Sequence, residues 1–483
     1  MMERGGDMQR STETTELKAG LKQRHMTMIA LGGVIGAGLF VGSGVVVQQA
    51  GPAAVLSFLI TGALVVLVMR MLGEMACAMP AVGSFYEYAR LAFGGKRACG
   101  NLAGFLTGWM YWYFWVIVVA VEAVAGAKLV QFWLPDVPAW AISLVLLVTL
   151  TATNLVSVGS YGEFEFWFAS IKVAAIMVFL FLGSMYVLGL WPASKHVTEV
   201  LPTLFSHGGL MPKGIGPVLS GAVAATGFYF GAEIVTIAAA EAQEPAKAVA
   251  RATNSVITRV LVFYVGSILL VVALVPWNSP KMATPYVSAL DAMGIPAAAS
   301  VMNAIVLTAV LSALNSGLYA ASRMIFALTR HGDAPAALAR VNRRGVPVRA
   351  ILIGTVFGYA SVVMSYVSPD TVFAFLVNSY GTVAIFVYVL IAISQLKLRA
   401  RIERDAPQTL RVRMWCYPYL TWVSIIGMVG ILVAMAFIPE QRQPLWFGVA
   451  SLGVLLLAYP LRGRRSDAMP GEPETVEYRH HHR

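Results

Sequence analysis

The chain has 483 residues, of which 58% are hydrophobic and only 12% are charged. An ordinary soluble domain carries about 25% charged residues, so this chain has too little polar surface for a soluble globular protein. A net charge of +11 would suit a nucleic-acid partner, but the basic residues concentrate in alternate loops between long apolar runs. We therefore expect a lipid bilayer around the chain and no nucleic-acid partner.

Twelve apolar runs long enough to cross a bilayer follow one another along the chain. A hydrocarbon core of about 30 Å needs about 20 apolar residues in one helix. We number the runs as spans 1 to 12 and place them at residues 26–48, 53–76, 102–127, 138–157, 164–190, 214–240, 257–277, 298–322, 350–367, 372–395, 415–437 and 444–461. They lack strand alternation and are too long for barrel strands. The prediction is an all-α polytopic membrane protein of about twelve transmembrane helices.

The loops predict the orientation of the chain in the membrane. With a cytoplasmic N-terminus, most of the 35 Lys and Arg residues fall in cytoplasmic segments, as the positive-inside rule requires. Both tails, 1–25 and 462–483, are then cytoplasmic. The first tail contains acidic groups and no apolar core of a cleaved signal peptide, so span 1 is expected to be the insertion signal. The connections around 77–101, 323–349 and 396–414 are expected to be surface loops.

The sequence gives little support for enzyme or metal chemistry. No Gly-rich phosphate loop, HExxH helix or nucleophile elbow occurs with the strand context that those motifs need. The histidines at 480–482 could bind a metal, but a run on a polar tail lacks fixed geometry and a fourth ligand. We predict no catalytic residue, no metal site and no cofactor. The three cysteines are expected to be free thiols in a reducing compartment.

Spans 1 and 6 are predicted to be interrupted helices. Each glycine inside a helix costs about 1 kcal/mol relative to alanine, and span 1 contains six in thirteen residues: Gly32, Gly33, Gly36, Gly38, Gly42 and Gly44. Span 6 has a lighter version around Phe228. Interruptions five spans apart indicate an inverted repeat, with residues 26–190 as the first half, 214–395 as the second, and 415–461 as two added helices.

Unwound backbone in a cavity suits a zwitterionic ligand. The N-terminus of a half-helix favours a carboxylate, whereas carbonyl groups favour an ammonium group. The candidate carboxylate site is Gly36, Ala37 and Gly38, and the candidate carbonyls are those of Ile35 and Phe228. The aromatic side chains beside the second break, Phe228, Tyr229 and Phe230, are gate candidates. Alternatively the glycines, Gly32 and Gly33 above all, allow close helix packing, and the aromatic residues only fill the core.

Lys172 and Glu122 are the candidate proton-coupling residues. Lys172 lies eight residues beyond Phe164, hence about 12 Å along span 5, and a desolvated lysine readily takes up and releases a proton. Snorkelling to the interface is the alternative for Lys172. Glu122 in span 3 could relay protons, recognise the substrate ammonium group or bond a neighbouring helix.

Other acidic and polar residues within the spans receive mainly structural interpretations. Glu233 follows the span 6 break and is expected to cap the next half-helix. Glu74 lies one turn after Arg70, and an ion pair between them is expected. Glu163 and Glu165 are expected to be solvated or gating residues at the start of span 5. Span 8 carries a polar stripe that could face the central site or bond a neighbouring helix, formed by Ser312, Asn315 and Ser316.

Four motifs resemble those of a known superfamily. They are residues 33–40 (GVIGAGLF), 161–167 (YGEFEFW) with Lys172, 231–241 (GAEIVTIAAAE) and 251–255 (RATNS). With them, the chain from Leu21 to Pro460 resembles the amino acid transporters of the amino acid, polyamine and organocation superfamily, particularly the bacterial 4-aminobutyrate permeases.

The resemblance implies a function and a mechanism. It implies a five-plus-five inverted-repeat core, a bacterial inner-membrane location, alternating access and import of 4-aminobutyrate by proton symport. It also implies that a lysine matching Lys172 occupies the place of a sodium ion beside the first broken helix. Permeases for aromatic, basic or proline substrates share the scaffold, and Gly227 replaces the aromatic residue expected near that position. An amino acid exchanger or a membrane amino acid sensor are the alternative functions.

Overall fold

The computed structural model describes residues 21–33, 35–36, 38–81, 83–95, 98–190, 204–205, 208–242, 244–342, 344–367, 376 and 382–462. Within these ranges the chain is helical apart from its connections and one isolated bridge between Leu21 and Ala242. The all-α prediction is confirmed. Ala37, the histidine run and the predicted start of span 10 lie outside the described residues.

All twelve apolar runs contribute helices in the described ranges. The helices are Gln23–Gly32 and Ser43–Ala50 for span 1, Ala54–Ala78 for span 2, Ala98–Val130 for span 3, Ala139–Val156 for span 4, Val158–Val187 for span 5, Ile215–Ala225 and Ile234–Ala238 for span 6, Pro245–Thr258 and Ser267–Leu274 for span 7, Ala298–Arg330 for span 8, Val348–Val367 for span 9, Val383–Asp405 for span 10, Tyr419–Phe437 for span 11, and Pro439–Ala458 for span 12.

Ten stretches in the described part of the chain are long and apolar enough to cross a membrane. One of them, Gly38–Ala78, holds both the second half of span 1 and span 2, and the apolar part of span 7, Leu261–Leu274, is shorter. These two cases account for the difference from the twelve predicted spans.

Several helix ends lie beyond their predicted positions. Span 8 continues to Arg330 and span 10 to Asp405, because Arg323 and Arg399 are buried and paired with carboxylates instead of ending the helices in solvent. The predicted surface loop 77–101 contains another helix, Phe85–Ala92, whose aromatic residues are buried. The surface-loop prediction is wrong there, because the segment is amphipathic and packs its aromatic face on the bundle.

Small residues bring the central spans into close contact. A Cβ atom on Gly32 of span 1 would lie 2.4 Å from the Ala169 Cβ of span 5. A Cβ atom on Gly317 of span 8 would lie 3.0 Å from the Trp115 ring of span 3. Close approach through small residues is the usual way in which membrane helices associate. It brings span 1 against span 5 and span 8 against span 3.

Candidate functional site

The two interrupted spans meet at their breaks. The first helix of span 1 ends at Gly32 and the chain resumes as a π-helical turn at Gly38–Gly42, whereas span 6 pauses between Tyr229 and Ile234. Gly231 has a φ of 107°, and a Cβ atom there would lie 2.1 Å from the Gly33 carbonyl oxygen. A Cβ atom on Gly33 would in turn lie 2.7 Å from the Gly231 oxygen. Only glycines allow this crossing, which confirms the predicted breaks and assigns Gly32 and Gly33 to packing.

Each break also has one glycine that faces open space. A Cβ atom on Gly36 or on Gly227 would meet no heavy atom within 4 Å. Around Gly36 the backbone makes short-range bonds, from the Ile35 N–H to Gly32 and from the Leu39 N–H to Gly36. The predicted contact residue Gly36 therefore has open space where a side chain would lie.

The Phe228 ring covers the second half of span 1. Cβ atoms on Gly38 and Gly42 would lie 2.5 Å and 2.6 Å from that ring. Gly38 is thus in contact with the Phe228 ring, and this ring lies beside the first break, where a gate would be expected. The Phe228 carbonyl, a candidate ligand group, accepts a bond of 2.6 Å from the Tyr264 hydroxyl and retains its second lone pair.

Tyr229 and Phe230 are held by packing. Tyr229 is fully buried, its hydroxyl donates to the Phe58 carbonyl at 2.8 Å, and its ring stacks on Tyr264 with a centroid distance of 4.2 Å. The Phe230 ring stacks on Tyr388 at 4.6 Å and contacts Phe114 at 4.8 Å. In this conformation both side chains fill the core, which is the alternative to a role as gates.

The Lys172 ammonium group lies at the end of the first half-helix. It donates to the Gly32 carbonyl at 2.7 Å and to the Ser312 hydroxyl at 2.9 Å, and the residue is only 1% exposed. A helix C-terminus carries partial negative charge, so it attracts this cation. The side chain reaches spans 1 and 8 instead of either end of span 5, so the snorkelling alternative is wrong.

Two carboxylates act on Lys172 electrostatically, those of Glu165 and Glu122. Ser312 donates to the Glu165 carboxylate at 2.6 Å, and Glu165 is fully buried. The expectation of a solvated Glu165 is wrong, because residues two apart point to different sides of a helix. Its neighbour Glu163 takes the exposed side and pairs with Arg24. One Glu122 carboxylate oxygen is buried without a hydrogen-bond partner in the described chain.

Glu233 binds the break instead of capping the next half-helix. Its carboxylate accepts bonds from the Gly231 N–H at 3.2 Å and from the hydroxyls of Tyr111 and Tyr388 at 3.0 Å each. The cap prediction is therefore wrong, although the role is structural as expected. The sequence could not identify the tyrosine donors, because they come from spans 3 and 10 and lie 122 and 155 residues from Glu233 along the chain.

A buried ion pair lies at the face of the bundle near Leu21. Arg323 donates to the Glu241 carboxylate at 2.8 Å, and Tyr319 donates to the same group at 2.7 Å. The Tyr319 ring stacks on Tyr161 at 4.0 Å with an interplanar angle of 4°. The Leu21 N–H donates to the Glu241 carbonyl at 3.2 Å. Sequence reasoning missed this pair, since its partners lie on spans 6 and 8.

A second buried carboxylate also has a distant partner. Glu74 accepts bonds from the Gln395 amide at 2.7 Å, from the Met414 N–H at 2.6 Å and from Arg399. Arg70 instead donates to Asn254 at 2.7 Å. The predicted Arg70–Glu74 pair is therefore wrong, because Glu74 faces span 10 inside the bundle.

The fold and the paired breaks define a multi-pass membrane permease, and comparison with known proteins identifies its family. Residues 25–461 match the amino acid permease family, and the chain belongs to that family. It is 51% identical over 464 residues to the gamma-aminobutyric acid permease of Bacillus subtilis, covering 95% of this chain and 97% of that relative. It is 46% identical over 451 residues to the gamma-aminobutyric acid permease of Escherichia coli, covering 93% and 95% of the two chains.

More distant matches agree on the fold. The aromatic amino acid transport protein of Corynebacterium glutamicum is 39% identical over 461 residues, with 93% and 97% of the chains covered. A solved mutant manganese transporter from Eremococcus coleocola superposes with a TM-score of 0.56 over 95% of each chain at 12% identity. At that identity the structural match supports the fold alone.

Proposed function

We propose that this permease imports 4-aminobutyrate together with a proton, by alternating access in a bacterial inner membrane. The observation that carries the proposal is the buried Lys172 ammonium group, bonded to the end of the first half-helix beside the break. A charged group buried inside the membrane is energetically costly and therefore usually marks a functional site, and a desolvated lysine suits proton uptake and release. The choice of 4-aminobutyrate as substrate is supported by the two gamma-aminobutyric acid permeases that are 51% and 46% identical to this chain.

The substrate would lie in the open space beside Gly36 and Gly227. Its carboxylate would bind at Gly36, Ala37 and Gly38, where the second half of span 1 begins. Its ammonium group would bind carbonyls of Ile35 and Phe228, with the Phe228 ring as a lid. The absence of side chains at Gly36 and Gly227 leaves room for the substrate there.

Lys172 would couple the proton to the conformational change. The protonated amine holds the negative end of the first half-helix against spans 5 and 8. Loss of the proton weakens that electrostatic attraction, so the half-helix is freer to move and the equilibrium between outward and inward states shifts. Glu122, with its unpartnered carboxylate oxygen, is the proposed second proton-coupling residue.

The face near Leu21 would be the cytoplasmic one, as the distribution of basic residues predicts. Both termini would then be cytoplasmic, and the Glu241–Arg323 pair would close the inner path in the conformation described. Residues 26–190 and 214–395 would be the two inverted repeats that move against each other.

Uptake into proteoliposomes tests the proposal. We expect radiolabelled 4-aminobutyrate to accumulate when the outside is made acidic, and a protonophore to abolish the accumulation. Excess unlabelled phenylalanine, proline or lysine should compete poorly. Uptake that ignores the gradient but requires internal substrate would identify an exchanger, and binding without flux would identify a sensor.

A further inference from the structure

A hydroxyl group joins two buried groups of opposite charge in the centre of the bundle. The Ser312 oxygen of span 8 accepts a bond of 2.9 Å from the Lys172 ammonium group and donates one of 2.6 Å to the Glu165 carboxylate. Lys172 and Ser312 are each 1% exposed and Glu165 is fully buried. Solvent therefore does not separate the three groups.

The direction of the two bonds makes this arrangement competent for proton transfer. A serine hydroxyl has one donor hydrogen and two acceptor lone pairs, so it can receive one proton while it gives up another. Here every donor points the same way, from Lys172 through Ser312 to Glu165. Glu122 also acts on Lys172 electrostatically, but its buried Oε2 has no hydrogen-bond partner among the described residues.

Beyond Glu165, polar groups continue toward the face near Leu21. Tyr161, one turn earlier on span 5, interacts electrostatically with Glu165. The Tyr161 ring stacks on Tyr319, which donates to the Glu241 carboxylate beside Arg323. Glu165 thus lies between Lys172 and the Glu241–Arg323 ion pair.

We propose that Glu165 is the proton acceptor of Lys172 on the cytoplasmic side and that Ser312 carries the proton between them. This inference rests on the proton symport proposed above. One N–H bond of the Lys172 ammonium group breaks as its proton binds the Ser312 oxygen, while the Ser312 O–H proton passes to the Glu165 carboxylate. The products are a neutral amine, an unchanged hydroxyl and a protonated carboxyl group. The first half-helix loses its charged partner at the moment when Glu165 holds the proton for release to the cytoplasm.

Three variants and a matched control test the proposal. Glu165→Gln keeps the shape and an oxygen acceptor for Ser312 but cannot take up the proton. Ser312→Ala removes the hydroxyl, whereas Ser312→Thr retains it. Thr308→Val removes a hydroxyl from the same helix, one that among the described residues donates to the Ile305 carbonyl of its own helix. Two quantities are measured in proteoliposomes: accumulation driven by a proton gradient, and exchange of labelled for unlabelled 4-aminobutyrate at equal pH.

We expect Glu165→Gln and Ser312→Ala to lower gradient-driven accumulation by about tenfold or more, since a proton-transfer group typically contributes about a hundredfold or more to a rate. Exchange should fall less than accumulation in both variants, because it requires no net proton release to the cytoplasm. Ser312→Thr should restore accumulation, and Thr308→Val should leave it unchanged. A merely structural role would instead lower both quantities together.

Accumulation at the wild-type level in Glu165→Gln, or parallel loss of accumulation and exchange, would overturn the inference. If Glu165→Gln does not fold, the contrast between Ser312→Ala and Ser312→Thr decides the question. Substrate accumulation by the wild-type protein that does not depend on the proton gradient would overturn the symport proposal itself. That result is distinguishable from failure of the Glu165 proposal, because it is obtained without any variant.

Discussion

The backbone of Gly231 lies directly against the carbonyl of Gly33, so closely that a Cβ atom on Gly231 would stand 2.1 Å from the Gly33 oxygen. This contact joins the two breaks, and it places the end of the first half-helix beside Lys172. The arrangement depends on a residue without a side chain, since Gly231 also has a φ of 107°.

Gly231→Ala should therefore prevent assembly of the site. The added carbon collides with backbone atoms that cannot rotate away, and it strains a left-handed conformation. We therefore expect the free energy of unfolding to fall by on the order of 3 kcal/mol or more. Thermal unfolding in detergent measures it. Gly430→Ala on span 11, where a Cβ atom meets nothing within 4 Å, is the matched control. Equal melting temperatures for the two variants would contradict the described contact.

Gly36→Ala should fold normally but transport poorly. A Cβ atom at Gly36 enters open space, so the melting temperature should match that of wild type. If the substrate carboxylate binds there, the methyl group occupies its position and the KM for 4-aminobutyrate should rise by about tenfold, equivalent to about 1.4 kcal/mol of binding. Initial uptake rates over a range of substrate concentrations give the KM. An unchanged KM would remove Gly36 from the proposed site.

The buried Glu241–Arg323 pair should show strong coupling. Removing one partner leaves an uncompensated buried charge and should lower the free energy of unfolding by about 3–5 kcal/mol. Replacing both partners with apolar or amide groups should lower it much less. Arg323→Met, Glu241→Gln and the double variant are compared by thermal unfolding. Additive losses in the double variant would mean that the two side chains do not depend on each other.

The short helix Phe85–Ala92 outside the spans should make stability sensitive to acid. Burial alone would raise the pKa of Glu87, but bonds from His331 and Arg90 lower it from 4.5 to about 2. A carboxylate with a lowered pKa stabilises the folded protein above its ordinary pKa, and this contribution is lost as the pH falls from about 4.5 toward 2.

Glu87→Gln tests that sensitivity. The variant should be less stable than wild type at neutral pH, and the difference should shrink over this acidic range. Melting temperatures measured from pH 7 down to the acid limit of the detergent-solubilised protein give the comparison. A constant difference at every pH would contradict the charge-based explanation.

Much of the fold could be predicted from the sequence because bilayer thickness fixes the length of an apolar helix. Both breaks could also be predicted, because the glycine runs in span 1 and span 6 make a continuous helix energetically unfavourable there. Partner choice across the bundle could not be predicted. Glu74 bonds Arg399 instead of Arg70, and Glu165 turns inward to Ser312, because tertiary packing decides which face of a helix is buried.

Lys172 shows both the strength and the limit of the sequence prediction. Its depth indicated a functional lysine, but its bonds to Gly32 and Ser312 depend on how spans 1 and 8 pack against span 5. No local pattern contains that information, since the partners lie 140 residues away in either direction along the chain.

The most direct test of the central claim is to record substrate and proton movement together. Wild type and Lys172→Ala are reconstituted with a pH-sensitive dye trapped inside, and radiolabelled 4-aminobutyrate is added at equal pH on both sides. We predict that substrate entry acidifies the wild-type vesicles and that Lys172→Ala produces no acidification. Substrate entry without acidification in wild type, or acidification that persists in Lys172→Ala, would contradict proton symport through Lys172.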